Sequence, residues 1–144
     1  MAGAPILFDR RLLEQHRARA ERMAIAGSDF LLTHAVTDLV ERLATVNRRF
    51  EHGADIGSLS PTLAAALAEA GQGGAVERIP LRESEALPLA AGSLDLAVSV
   101  LQLQWVNDLP GLFAQIKRAL RPDGLFLATL AGGDTLNELR TVLT

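Results

Sequence analysis

The run LDLAVSVLQL, Leu94 to Leu103, is interrupted only by Asp95, Ser99 and Gln102. A segment this short and this rich in valine and leucine predicts a strand buried on both faces, the kind found in the middle of a parallel sheet; an antiparallel strand with one wet face would alternate apolar and polar residues. Working outward, the chain alternates strand and helix patterns. Upstream, Ala54 to Gly57 reads as a short strand, Pro61 to Ala70 as a helix with proline in its first turn, where the missing N–H costs nothing, and Val76 to Leu81 as a second strand, with Gly71, Gly73 and Gly74 stopping the helix between them. Downstream, Asp108 caps a helix with Leu112, Phe113, Ile116, Ala119 and Leu120 on one stripe. RPDG, Arg121 to Gly124, is a turn in which glycine accepts positive φ, and Leu125 to Leu130 is a further buried strand. Thr135 and Glu138 have the spacing of a capping box opening a last helix, with Leu136, Leu139 and Leu143 facing inward. This order implies an α/β domain: a parallel sheet of about four strands, right-handed crossovers and helices on both faces.

The first third is helical in pattern. One helix runs from about Arg10 to Ala26 and ends at Gly27; a second carries Leu32, Val36, Leu39, Val40 and Leu43 on one stripe, with Ser28 or Asp29 as its N-cap. Residues 1–50 therefore form an N-terminal helical segment and residues 51–144 the α/β core.

Composition limits the function classes. With 144 residues, 49% of them hydrophobic, the chain buries one core. A net charge of -3 gives no basic face for nucleic acid or an anionic membrane. The absence of cysteine removes disulfides, thiolate metal sites and a thiol nucleophile. His16, His34 and His52 lie far apart with no partner at metal-ligand spacing, so no metal site is expected. No apolar stretch approaches the ~20 residues of a membrane span. The arginines near the N-terminus alternate with Asp9, Glu14 and Glu21, which transit peptides avoid. A cytoplasmic protein is the expectation.

In an open parallel sheet, ligands bind at the carboxyl ends of the strands, which directs attention to three loops: Gly57 to Ser60, Arg82 to Leu87 and Gln102 to Asp108. In the first, Gly57 permits a tight turn and the amides opening the next helix favour an anionic group; a plain strand-to-helix turn capped by Ser60 has the same spacing. In the second, Glu83 and Glu85 are either solvated loop acids or, for Glu83, an acceptor for a cofactor's amino group. In the third, strand alternation points Gln102 and Gln104 to opposite faces. Trp105 beside them either plugs the seam between sheet and helix or belongs to a site, with Asn107 and Asp108 capping the helix.

Several blocks carry a family resemblance. The stretch Leu94 to Arg140, with QWVNDLP (Gln104 to Pro110), RPDG and GGDTLNELR (Gly132 to Arg140), resembles class I S-adenosylmethionine-dependent methyltransferases. Within them it is similar to the branch holding the malonyl-carrier-protein methyltransferases of biotin synthesis and the mitochondrial complex I assembly factor that modifies an arginine. FDRRLLEQHRARA (Phe8 to Ala20) and DFLL (Asp29 to Leu32) extend the likeness toward the N-terminus. The resemblance implies an incomplete Rossmann-like parallel sheet and S-adenosylmethionine as cofactor. Asp55, Gly57 and Ser58 would lie in the loop that grips its methionine moiety, Glu83 and Ser84 at the adenine, and Gln104 and Trp105 near the transferred methyl. The acceptor would be a small carboxylate or a protein side chain. No nucleophile is needed, because the sulfonium carries the reactivity and the protein aligns the acceptor.

The chain departs from the family pattern at that loop. Leu59 and Pro61 stand where relatives usually carry glycine, and between Ala70 and Glu83 there is one strand where the family has strand, helix and strand. No residue matches the acid that holds the ribose, and the last strands of the family sheet have no counterpart. These departures imply weak or absent cofactor binding and a reduced homologue or fragment. A cofactor-free role in complex I assembly is the alternative, and an uncovered sheet edge after Leu125 to Leu130 would favour a homodimer or a partner-bound form.

Overall fold

The computed structural model describes residues 5–143. Among them the order is α1 (Arg10–Met23), α2 (Phe30–Ala44), β1 (Phe50–Ile56), α3 (Thr62–Glu69), β2 (Gly73–Ile79), β3 (Leu94–Val100), α4 (Leu109–Ala119), β4 (Leu120–Thr129) and α5 (Asn137–Leu143), with a turn of 3-10 helix at Leu103–Trp105. The strands form one sheet in the order β2-β1-β3-β4, and every pairing is parallel. All seven residues of β3 are buried, as the apolar run requires.

The two faces of the sheet carry separate cores. Leu96, Val98 and Val100 pack with Val36, Leu39 and Leu43 of α2 and Leu63 and Leu67 of α3; burying each such leucine contributes ~1.5–3 kcal/mol. On the other face Ala54, Ile56 and Ala97 meet Leu112, Ile116 and Ala119 of α4, with Leu87 from the long β2–β3 connection filling the rest. The buried Asp95 carboxylate accepts from the Glu51 N–H at 2.8 Å and the His52 N–H at 3.0 Å, and the Ser99 hydroxyl donates to the Ile56 carbonyl at 2.7 Å. These side chains lock β1 against β3 at both ends.

Several expected boundaries move, each for a local reason. β1 begins at Phe50, extended by the Asp95 contacts. β2 begins at Gly73 because its glycines permit a close approach: a Cβ on Gly74 would lie 2.7 Å from the Glu51 carbonyl oxygen. The first helix stops at Met23, where Ala24 turns left-handed with φ 44°, and neither Ser28 nor Asp29 gives α2 a side-chain cap. RPDG is an excursion inside β4, carrying the register from Leu94↔Leu120 to Leu96↔Leu125. Its positive φ falls on Asp123, at 64°, while Gly124 is required for closeness to the Arg121 carbonyl. Leu136, Leu139 and Leu143 are 66%, 51% and 77% exposed. They do not face inward, and the Thr135 hydroxyl accepts from the Gly132 N–H, so the expected capping box is not formed.

Candidate functional site

At the end of β1 the chain turns at Gly57, φ 86°, whose N–H donates to the Ile79 carbonyl at 2.8 Å. A Cβ there would stand 2.8 Å from Leu81 Cδ1 and 3.0 Å from Gln102 Cβ, so the loop is packed by the chain's own side chains. Ser60 and Thr62 hydrogen-bond each other at 2.9 Å, and α3 has no side-chain cap. Leu59 projects into solvent, 51% exposed, while its carbonyl accepts from Arg78. Beneath the loop Asp55 is fully buried, and neither carboxylate oxygen has a hydrogen-bond partner. Burial raises its pKa to about 6, the Ser58 hydroxyl and the Arg78 guanidinium offsetting only part of the effect.

The second loop is organised by Glu85, not Glu83. Glu85 is buried, with φ 52°. Its Oε1 accepts from Arg10 at 2.7 Å and from the Asn107 N–H at 2.8 Å, and its Oε2 accepts from the Asp108 N–H at 2.9 Å. Burial alone would raise its pKa; the two amides and the Arg10 guanidinium outweigh this and hold it below the ordinary value. Glu83 and Ser84 are exposed beside it.

In the third loop β3 stops at Val100, because Leu101 turns left-handed with φ 52° and the 3-10 turn follows. Gln102 and Gln104 therefore do not alternate on a strand. Gln104 folds back, donating to the Leu101 carbonyl at 2.8 Å, and Gln102 Oε1 accepts from Arg17 at 2.7 Å. Asn107 Oδ1 accepts from the Leu7 and Phe8 N–H groups at 2.7 and 2.8 Å, and Trp105 meets Phe8 edge-on at 5.6 Å. Asp108 caps α4 as expected, accepting from the Gly111 N–H at 2.9 Å.

The N-terminal arm and α1 thus lie across the carboxyl ends of the strands, and the sequence-predicted residues are split. A cavity of about 250 Å³ lies between Arg17, Glu21, Gly57, Ser58 and Leu81, and one of about 240 Å³ adjoins it at Leu32, Leu59 and Leu63. The two share Arg17, Glu21, Ser58 and Leu59 in their linings and form one continuous depression over the Gly57 loop. Glu83 and Ser84 line a different cavity, of about 500 Å³, with Phe8, Arg10, Asn107 and Asp108. Asp55, Gln104 and Trp105 line none of the three. The residues that sequence reasoning missed are Arg10, Arg17 and Glu85; the one available signal was Glu85 alternating with the apolar Leu87. Among the described residues no cluster of His, Cys, Asp or Glu could hold a metal ion, and no helix is long and apolar enough to cross a membrane.

Comparison with known proteins supplies a context for this arrangement. A family model described as a methyltransferase domain matches residues 57–128. The human protein named "Arginine-hydroxylase NDUFAF5, mitochondrial" is 33% identical over 156 residues, covering 95% of this chain and 45% of that protein. The namesake from Dictyostelium discoideum is 61% identical over 51 residues, covering 35% of this chain and 12% of that one. A malonyl-[acyl-carrier protein] O-methyltransferase from Gallionella capsiferriformans is 47% identical over 68 residues, covering 46% and 23%. The chain spans less than half the length of these relatives. The human alignment is also longer than the 144-residue chain, so that relative holds internal segments this one lacks. A crystal structure of a SAM-dependent methyltransferase, possible histamine N-methyltransferase, from Thermotoga maritima shares the fold, with TM-score 0.55 at 21% identity over 82% of this chain and 59% of that one. The expectation of a cytoplasmic protein is overturned by these relatives, since the protein aligned along nearly the whole chain is mitochondrial by name. The alternating charges behind that expectation belong to α1, which is pinned through Arg10 and Arg17, and report on packing rather than on address.

Proposed function

This chain belongs to the methyltransferase-domain family, and we propose that it is a reduced S-adenosylmethionine methyltransferase-like protein that binds the cofactor weakly or not at all and works by binding a protein partner, in the manner of a complex I assembly factor. The observation that carries this reading is the division of the expected cofactor residues between separate cavities, with α1 over the first. S-adenosylmethionine presents an ammonium and a carboxylate at one end, ribose hydroxyls in the middle and adenine at the other. The first end has counterparts in the free amides opening α3 and the unpaired Asp55 carboxylate. The middle has none: β2 is followed by Pro80 and Leu81, and Leu81 packs over Gly57. At the far end Glu83 and Ser84 open beside the Arg10–Glu85 pair, away from Gly57. The residues present therefore fit one end of the cofactor and not the whole of it.

The second reading is methyl transfer to a small carboxylate or a protein side chain, with Asp55, Gly57, Ser58, Glu83 and Ser84 holding the cofactor and Gln104 and Trp105 near the methyl. It is favoured by Asp55, a buried carboxylate near the end of β1 with no hydrogen bond of normal geometry. Calorimetric titration with S-adenosylmethionine and S-adenosylhomocysteine separates the two. A charge-assisted hydrogen bond contributes ~1.5–3 kcal/mol, so loss of the ribose acid alone weakens binding roughly tenfold or more. We expect no low-micromolar binding by the folded chain. Low-micromolar binding that Gly57→Val abolishes, the variant remaining folded by circular dichroism, would establish methyl-transfer machinery instead.

A further inference from the structure

α1 contributes no residue to either apolar core. What holds it are two guanidinium contacts, Arg10 with Glu85 and Arg17 with Gln102, each at 2.7 Å. The arm before it is held in the same way, with Asn107 accepting from Leu7 and Phe8 and Trp105 against the Phe8 ring. All of these partners stand in the two loops that leave the carboxyl ends of β2 and β3.

The other end of α1 is a joint. Ala24 and Gly27 are both left-handed, with φ 44° and 75°, and a Cβ on Gly27 would meet nothing within 4 Å. Immediately beyond, α2 is fixed in the core by Val36, Leu39 and Leu43. A helix jointed to a fixed element at one end, and fastened by polar contacts along the rest, can leave the strand ends without opening a core. Its fastening also carries a cost. Arg17 is part-buried, and burial first, then the charge of Arg10, draw its pKa down, Glu14 offsetting only part of the effect. Closing α1 therefore desolvates one guanidinium and brings it toward another, and opening relieves both.

What α1 covers is the loop leaving β1. Gln102, on which Arg17 closes, has its Cβ 3.0 Å from where a side chain on Gly57 would begin. The depression left beneath the helix lies between Arg17 and Glu21 of α1 and Ser58 and Leu59 of the loop. The geometry points to α1 as a hinged strap that gates this depression. Pivoting at Ala24 and Gly27, it opens when Arg17 leaves Gln102 and Arg10 leaves Glu85, and uncovers Ser58 and the start of α3. Closed, it is an autoinhibitory contact. A mostly closed strap lowers apparent affinity at the loop by the fraction of open molecules, which makes it one cause of the weak cofactor binding proposed above, the reading on which this consequence rests.

Two measurements on the full chain, with circular dichroism on every variant, test the strap without any ligand. A detached 14-residue helix is barely stable in water, so hydrogen exchange reports opening. The α1 amides should exchange together, faster than those of β3, at urea concentrations far below global unfolding. Arg17→Ala and Gln102→Ala remove the same contact, and the second retains the Cβ beside Gly57. Each should accelerate α1 exchange roughly tenfold, and the double variant no more than either single one. The chain has no cysteine, so Ser58→Cys places a single thiol in the depression. Its alkylation by iodoacetamide should quicken severalfold when Gln102→Ala is added, a background that keeps the Arg17 charge and so leaves that influence on the thiol in place. Exchange of α1 only together with β3, α1 amides indifferent to both single variants, or an alkylation rate indifferent to Gln102→Ala would overturn the strap. Low-micromolar binding of S-adenosylhomocysteine by the wild-type chain would overturn the weak-binding reading instead, and both ligand-free measurements are blind to it.

Discussion

Asp55 and Glu85 are both buried carboxylates, and their surroundings drive them in opposite directions. Asp55 makes no hydrogen bond of normal geometry, and burial lifts its pKa from 3.8 to about 6 against the smaller pull of the Ser58 hydroxyl and the Arg78 guanidinium. The native state therefore holds this proton more tightly than the unfolded chain does, and stability is lost as pH rises from about 4 to about 6. At ~1.4 kcal/mol per pK unit, that loss is about 3 kcal/mol at neutral pH. Asp55→Asn should accordingly raise stability by about 1–3 kcal/mol at neutral pH and change it little at pH ~4. Urea unfolding at the two pH values measures this, and an asparagine variant less stable than wild type at neutral pH would mean that the carboxylate has a partner in solution. Glu85 is the reverse case: its pKa is depressed, so its contribution is present above the ordinary carboxylate range and is lost as pH falls through the native value. Removing one partner of a buried ion pair costs ~3–5 kcal/mol; Glu85→Gln should lower urea stability by roughly the smaller figure, since the amide keeps part of the network.

Between elements, the junctions decide what the site looks like. α1 has one buried residue, Arg10, so polar contacts hold it and the arm before it over the strand ends. Asn107→Ala should speed amide exchange at Leu7 and Phe8, which it holds, and leave β3 amides unchanged; equal acceleration in β3 would show that the arm is part of the global core. The elements themselves were largely legible. β3 was readable because a two-sided apolar strand has a distinctive composition, and α2 because its stripe has the helical period. The course of the chain past Val100 was not readable, since an apolar run does not disclose a left-handed Leu101. Glu85 reads as a solvated loop acid for a related reason: its spacing from the apolar Leu87 is a weak sign of burial, and nothing local shows that a distant arginine and two helix-start amides converge on it. The exposure of α5 was illegible as well, because a leucine stripe reads the same whether its cover comes from its own chain or another.

At the scale of the molecule, a four-stranded parallel sheet carries a core on each face, and the chain's own N-terminal arm and α1 lie across the carboxyl ends of its strands. The four parallel strands form as the sequence pattern requires, while the loop leaving β1 is packed by Leu81 and Gln102 and carries Leu59 and Pro61 after Gly57. Substituting Gly57 by alanine would test that packing. Strain at φ 86° and contact with Leu81 should cost ~1–3 kcal/mol in thermal or urea unfolding, and a neutral substitution would show the loop to be open. The claim that this end holds S-adenosylmethionine weakly or not at all is tested most directly by following the backbone amides of Gly57, Ser58, Leu59 and Ser60 by nuclear magnetic resonance as S-adenosylhomocysteine is titrated through the low-micromolar range. These amides should remain unshifted, with the Arg17 side-chain signal unchanged beside Gln102. Saturable shifts at Gly57 and Ser58, with loss of the Arg17–Gln102 contact, would contradict the account and return the site to a methyltransferase.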